Sequence, residues 1–294
     1  MPGTNKWVLQ PSTLQLLRVH FSFFLMPVFW FALSQVTEVN VAHAILVFIV
    51  LHLLVYPASN GYNSYMDKDT DSIGGIKTPL QPTKELLHIT IAMDVAAVIL
   101  SCIIGIYFAL GILCYILISK AYSYRGIRLK KYPFLGYFTV IVFQGAFIFG
   151  LVYYACSSNA ASAVPYAPMI AASLLIGGFY PLTQIYQHRA DFRDGVKTLS
   201  YTLGYRGTFF YCGFVYAAAF IVLTLYFFNN MQEDSFYIFS LGMLPVIIYF
   251  LAWAIKVWHN FLNADYKHTM QMNTIASLCT NISFLIIFIN NHFE

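Results

Sequence analysis

The chain has 294 residues, 59% hydrophobic, 18% aromatic and only 10% charged, with a net charge of +4 and a mean hydropathy of +0.67. A soluble domain carries roughly 25% charged residues to cover its surface, so this composition excludes a soluble globule, a disordered chain and a nucleic-acid-binding module. It points to a bilayer as the surrounding solvent.

Spans of about 20 mostly apolar residues are predicted in chain order at 13–35, 41–63, 86–107, 108–122, 134–155, 166–187, 207–228, 236–256 and 271–291. No cleavable leader is expected, because residues 1–12 are polar and the first apolar run has full span length. The fourth span is short, and only Gly105 to Gly111 separate it from the third, so an eight-span reading competes. Loop charge decides between them. All 16 Lys and Arg residues fall in the N-terminal segment and the connections after spans 2, 4, 6 and 8, counted with flanking span ends, from Lys6 and Arg18 through to Lys256 and Lys267. The other connections, which hold Glu38, the 157–165 loop and Glu233 with Asp234, have none. Nine spans keep every base on one side, and the positive-inside rule makes that side cytoplasmic, with the N-terminus inside and the C-terminus outside. The expected fold is therefore an all-α membrane protein: nine transmembrane helices in one bundle around a central apolar cavity, one polytopic domain over residues 1–294. The expected location is a bacterial inner membrane. The five cysteines (Cys102, Cys114, Cys156, Cys212, Cys279) form no CxxC pair, and four lie in apolar runs, where they read as small buried hydrophobes.

The acids gather at the cytoplasmic ends of spans 2 and 6. Asn63, Asp67 and Asp71 recur every four residues, so a continuous helix would align them in a stripe about 12 Å long. Oxygen donors in that pattern suit Mg2+, which keeps waters and is usually held by one or two carboxylates plus phosphate oxygens. At the second end Gln187 and Asp191 are again four apart, Asp194 follows, and Gly195 can end the helix. Between the two clusters in sequence lies a basic loop, Tyr122 to Lys131, whose cations suit a diphosphate.

At these residues the chain resembles the UbiA superfamily of intramembrane prenyltransferases. Asn63/Asp67/Asp71 matches its Nx3Dx3D motif, Tyr122–Ser123 with Arg128–Leu129–Lys130 matches its YSxxxxRLK-like segment, and Gln187/Asp191 with Gly195 and Thr198 matches its Dx3D and GxxT elements. The chain departs from the family twice. Gln187 stands where the first Asp of the second motif is usual; Asp194, one turn on, reads either as a compensating ligand or as a solvated cap before Gly195. Lys77 stands in a stretch that is often Arg-rich and ends in an RP pair.

The resemblance implies a polyprenyl diphosphate substrate, a small aromatic or quinone-precursor acceptor, and Mg2+ as cofactor. It implies Asp67, Asp71 and Asp191 as the catalytic acids. Asn63, Asp67, Asp71, Gln187, Asp191 and Asp194 would be the metal ligands, with Lys77, Lys120, Tyr122, Arg128 and Lys130 at the diphosphate. Tyr62 is a candidate orienting group. Asp94, an acid inside span 3, reads either as a helix–helix contact or as a substrate contact. Arg18, His20 and His268 lie on the same side and could reach the head group. A terpene cyclase on the same scaffold remains open as an alternative. A transporter is disfavoured, because no internal repeat or midplane polar cluster is visible.

Overall fold

A computed structural model describes residues 9–159 and 163–293; Lys6 and the middle of the 157–165 loop lie outside them. Among the described residues nine helices are long and apolar enough to cross a membrane: α1 (Pro11–Gln35), α2 (Val41–Asp67), α3 (Lys84–Ile104), α4 (Ile106–Ser123), α5 (Pro133–Cys156), α6 (Tyr166–Arg193), α7 (Leu199–Asn229), α8 (Glu233–His259) and α9 (Tyr266–Phe293). No strand is present among them, only two isolated bridges. The eight-span alternative fails at Gly105. Its φ of 153° and ψ of 160° are a conformation that side chains disfavour, and the chain turns back there so that α3 and α4 pack side by side.

Several helices outrun the apolar windows at the charged end: α2 reaches Asp67, α6 reaches Arg193 and α7 begins at Leu199. Hydropathy marks only the part of a helix that lies in hydrocarbon. The extra turns are polar, and they carry the side chains discussed below. Consecutive helices are neighbours around the bundle, α9 closes against α1, and α1 and α2 also touch α5.

Local chemistry explains the irregular stretches. In α2, Pro57 cannot donate to the carbonyl of Leu53 and its ring crowds that oxygen; the helix opens into π turns over Ile49–Val55, just before it. In α5 a second π stretch, Val142–Phe147, is filled by Ser173 of α6, whose Oγ donates to Ile141 O (2.9 Å) and accepts from Ala146 N (3.0 Å). This close approach requires glycine at 145, where an added Cβ would stand 2.5 Å from the Ser173 Cα. In α1 the helix breaks after Leu17: Arg18 adopts a left-handed φ of 47° and a 3-10 stretch, Val19–Phe24, follows.

Lipid tails are as apolar as Leu, so association here rests on close packing rather than on the hydrophobic effect. An aromatic block shows that packing at the centre: Phe31 stacks on Phe284 at 4.4 Å, meets Phe149 edge-on at 5.0 Å, and Phe284 stacks in turn on Phe239 at 5.4 Å. The expected apolar cavity is in fact divided. A cavity of about 240 Å³ has largely polar walls. A smaller apolar one of about 60 Å³ is lined by residues including Phe24, Phe31, Phe179, Tyr216, Met243 and Phe284.

Candidate active site

The larger cavity opens where three connections meet. Arg125 Nε donates to Met66 O (2.8 Å), Lys130 pairs with Asp67, Arg128 pairs with Asp194, and Arg193 pairs with Asp71. At the other end of the bundle, Asn40 N donates to Cys156 O (2.8 Å) and Ser158 N to Glu38 O (2.9 Å). Three of the basic connections, those after α2, α4 and α6, are thus joined to one another, at the opposite end from the Asn40–Cys156 and Glu38–Ser158 contacts.

The last turns of α2 supply Ser59, Asn60, Asn63 and Asp67 to the cavity wall. Asn63 spends its amide nitrogen on Ser123 Oγ (2.8 Å), which leaves the amide oxygen as the atom suited to a cation. The Asp67 side chain is only 5% exposed; Lys130 holds Oδ2, Arg128 lies 3.6 Å from Oδ1, and Oδ1 accepts no hydrogen bond.

The continuous stripe of Asn63, Asp67 and Asp71 does not form. Lys68 takes a left-handed φ of 54° and its N–H closes the helix on Ser64 O at 3.0 Å. The chain then runs into a tight turn, where Ile73 and Ile76 exchange backbone bonds of 2.9 Å around Gly75, whose φ is 81°. Asp71 is half-exposed outside the cavity, paired with Arg193. Asp69 lines the cavity instead. Burial, reinforced by Asp67, pushes its carboxyl up to about 6 although Lys130 and Arg18 oppose the shift.

From α6 come Gln184, Tyr186, Gln187 and Asp191, set by the 3-10 turn Ile185–Gln187 that ends the long helix after Pro181. Gln187 Nε2 reaches Ser72 O at 3.4 Å, tying this turn to the connection after α2. Asp194 is engaged outside the cavity by Arg128, with Arg125 3.7 Å away. Tyr122 lines the cavity and shares a hydrogen bond with Tyr180.

Of the four bases that the resemblance places at the diphosphate, Lys77, Lys120, Arg128 and Lys130, Lys130 alone lines the cavity. Lys120 pairs with Asp94 at 2.6 Å and lies 4.0 Å above the Tyr62 ring, which joins α4, α3 and α2. Asp94 is thereby a helix–helix contact. Arg128 bridges Asp67 and Asp194, and Lys77 is exposed. His20 is exposed, and His268 bonds Asp265 at 3.0 Å and stacks on Trp253. Arg18 does reach the cavity, donating to Gly74 O (3.1 Å) and Asn60 O (3.2 Å).

The cavity therefore gathers Asn63, Asp67, Gln187, Asp191, Tyr122 and Lys130 of the expected set and leaves Asp71, Asp194, Lys77, Lys120 and Arg128 outside its lining. It adds Asp69, Asn60, Gln184, Tyr186 and Asn273, which spacing did not single out. For Asp69 a signal was present: the turn-forming run Asp69-Thr-Asp-Ser-Ile-Gly-Gly75 argues for a helix end near Asp67. Among the described residues no three His, Cys, Asp or Glu side chains converge tightly enough to hold a metal by themselves. That fits an ion held in part by substrate oxygens, and the unbonded, buried Asp67 Oδ1 is a donor left for it.

The sequence model of the UbiA prenyltransferase family matches residues 24–275. No curated protein sequence matches significantly. Solved structures match over nearly the full length. A UbiA homologue from Archaeoglobus fulgidus, bound to GPP and Mg2+, is 21% identical with a TM-score of 0.67, over 94% of this chain and 99% of that one. An apo UbiA homologue from Aeropyrum pernix K1 is 17% identical with a TM-score of 0.71, over 92% and 98%. A digeranylgeranylglyceryl phosphate synthase is 18% identical with a TM-score of 0.61, over 95% and 97%. A multi-pass bundle with this fold, matched by the family's sequence model over most of its length, belongs to the UbiA prenyltransferase family.

Proposed function

We propose that the chain transfers a prenyl group from a polyprenyl diphosphate to a small aromatic or quinone-precursor acceptor, with Mg2+ as cofactor and the site facing the cytoplasm. The observation that carries this reading is the convergence of Asp67, Asp69 and Asp191, from two separate helix ends, with Lys130 on one cavity. Asn63, Asp67, Asp69, Gln187 and Asp191 would hold the metal. When bound, Mg2+ neutralises the diphosphate and so supports its departure.

Lys130 is placed to add charge where the leaving group becomes more negative. The allylic C–O bond breaks, and its electron pair leaves with the diphosphate. Tyr115, Phe143 and Tyr180, which line the same cavity, would face the resulting cation and keep water from it. The acceptor supplies the electron pair for the new bond and loses a proton from the attacked atom. Asp71 and Asp194 hold Arg193 and Arg128 at the rim, and the smaller apolar cavity extends the path for the prenyl tail. The two cavities draw on neighbouring residues of α6 and α9: Tyr180 and Asn273 face one, Phe179 and Ala276 the other.

The test is an assay of the purified protein in detergent with Mg2+, labelled prenyl diphosphates and a panel of aromatic acceptors. Acceptor-dependent prenylated product is expected. Acceptor-independent cyclic hydrocarbon would instead identify a cyclase, and absence of diphosphate release under every condition would refute both.

A further inference from the structure

Between α2 and α3 the chain runs from Lys68 to Thr83 without a helix. Its middle is anchored by packing: Ile73 and Ile76 are buried with Leu16, Leu17 and Leu86, and Arg18 donates to Gly74 O at 3.1 Å. The stretch before it, Asp69 to Ser72, has no buried side chain. Two contacts tie that stretch to α6: Arg193 pairs with Asp71, and Gln187 Nε2 donates to Ser72 O at 3.4 Å. The Ser72 hydroxyl is spent within the connection, on Lys77 O at 2.9 Å.

The two ties are unequal. Arg193 and Asp71 are both exposed, and such a pair contributes little. Gln187 is half-buried and stands on a fixed base. The next residue, His188, is buried, with Nε2 2.8 Å from Ser200 Oγ on α7 and its ring stacked on Tyr205 at 4.9 Å. Asp69, three residues before Ser72, lines the cavity together with Asp67, whose buried Oδ1 accepts no hydrogen bond. Asp69 is close enough to Asp67, Lys130 and Arg18 to feel the charge of each, and Asp191 feels its charge in turn. Where Ser72 is held therefore sets where the Asp69 carboxylate stands.

We propose that Gln187 is a positioning residue: its amide nitrogen holds the connection after α2 so that Asp69 faces the metal-holding side of the cavity. An ionised carboxylate in its place would only accept and would repel the Ser72 carbonyl. Position 187 thus gives up a charge and gains a donor, while position 69 brings a carboxylate to the same cavity. The amide oxygen of Gln187 takes no part in this contact and stays free for the metal. Partners that orient a metal ligand are typically worth about 10–100-fold in affinity. The inference rests on the prenyltransferase reading and deepens it, because it assigns the two ends of one amide separate tasks at the metal.

The experiment is titration calorimetry of Mg2+ into the full chain in detergent, with the unreactive donor geranyl S-thiolodiphosphate present, on Gln187→Glu, Gln187→Met and each of these combined with Asp69→Asn. Gln187→Glu keeps the length and adds a negative charge, so a role as ligand alone predicts tighter Mg2+ binding. The positioning role predicts the reverse. Mg2+ should bind at least fivefold more weakly in Gln187→Glu and in Gln187→Met, with less than twofold further loss when either is added to Asp69→Asn. Hydrogen exchange followed by mass spectrometry without Mg2+ should quicken over residues 69–72 in both single variants. If Gln187→Glu fails to fold, Gln187→Met gives the reading through its comparison with Asp69→Asn. Tighter Mg2+ binding in Gln187→Glu, an equal loss with and without the Asp69 carboxylate, or unchanged exchange over 69–72 would overturn the proposal while leaving the prenyltransferase reading intact. Failure of the thiolodiphosphate to bind the unaltered chain would remove both.

Discussion

Asp67 and Asp71 are four residues apart in one motif, yet they sit in opposite environments. Asp67 is buried among Lys130 and Arg128 with one oxygen unbonded, whereas Asp71 is half in solvent against Arg193. Asp67→Ala is therefore expected to lower kcat/KM for the prenyl diphosphate at least a hundredfold, about 2.7 kcal/mol of barrier. Asp71→Ala should cost less than about tenfold, because an exposed ion pair is worth only about 0.2–1 kcal/mol; a steady-state assay at saturating Mg2+ compares the two. Asp69 supplies a pH dependence. With its carboxyl raised to about 6, it is mostly charged at pH 7 and mostly neutral at pH 5, so protons compete with the metal in that window. Mg2+ affinity, measured by titration in the presence of a thiolodiphosphate, should fall as pH drops through 6, and Asp69→Asn should flatten that fall.

Helix ends, rather than helix middles, carry the acids that line this cavity. The left-handed Lys68 stops α2 just after Asp67, the 3-10 turn at Ile185–Gln187 re-aims α6, and the break at Arg18 brings a guanidinium inward from α1. Away from the cavity the Asp94–Lys120 pair joins α3 to α4, with Tyr62 of α2 beneath the ammonium. Removing one partner of a largely buried pair leaves an uncompensated charge and typically costs about 3–5 kcal/mol, while replacing both with apolar groups is often neutral. Asp94→Ala should accordingly lower thermal stability in detergent by several degrees. The double variant Asp94→Leu/Lys120→Leu should recover most of it with donor KM changed less than about threefold. A large rise in donor KM in the double variant would return Lys120 to the diphosphate.

Across the whole molecule, charge asymmetry and the cavity coincide: the connections after α2, α4 and α6, which hold most of the bases, bond to one another around the cavity mouth. On the positive-inside rule we propose that this mouth faces the cytoplasm. Single cysteines introduced at Lys131 and Glu233, both exposed positions, in a background lacking the five native cysteines, check this. A membrane-impermeant maleimide added to intact spheroplasts should label Glu233→Cys and spare Lys131→Cys; the opposite pattern would invert the topology.

The number of helices and the charge-sidedness of the connections were legible in the sequence, because a bilayer imposes a length of apolar chain and a charge bias that need no knowledge of tertiary contacts. The motif spacing likewise singled out Asn63, Asp67, Gln187 and Asp191, all of which line the cavity, since positions four apart on a helix share a face wherever the helix is intact. Which acid followed Asp67 into the cavity was decided by where α2 stopped, and which base reached it by competition. Asp94 took Lys120, Asp194 took Arg128, and of the four bases expected at the diphosphate Lys130 was left to line the cavity beside Asp67. Asn273 had no local signal at all. An asparagine in an apolar helix lines a cavity only when the packing around it decides what it faces.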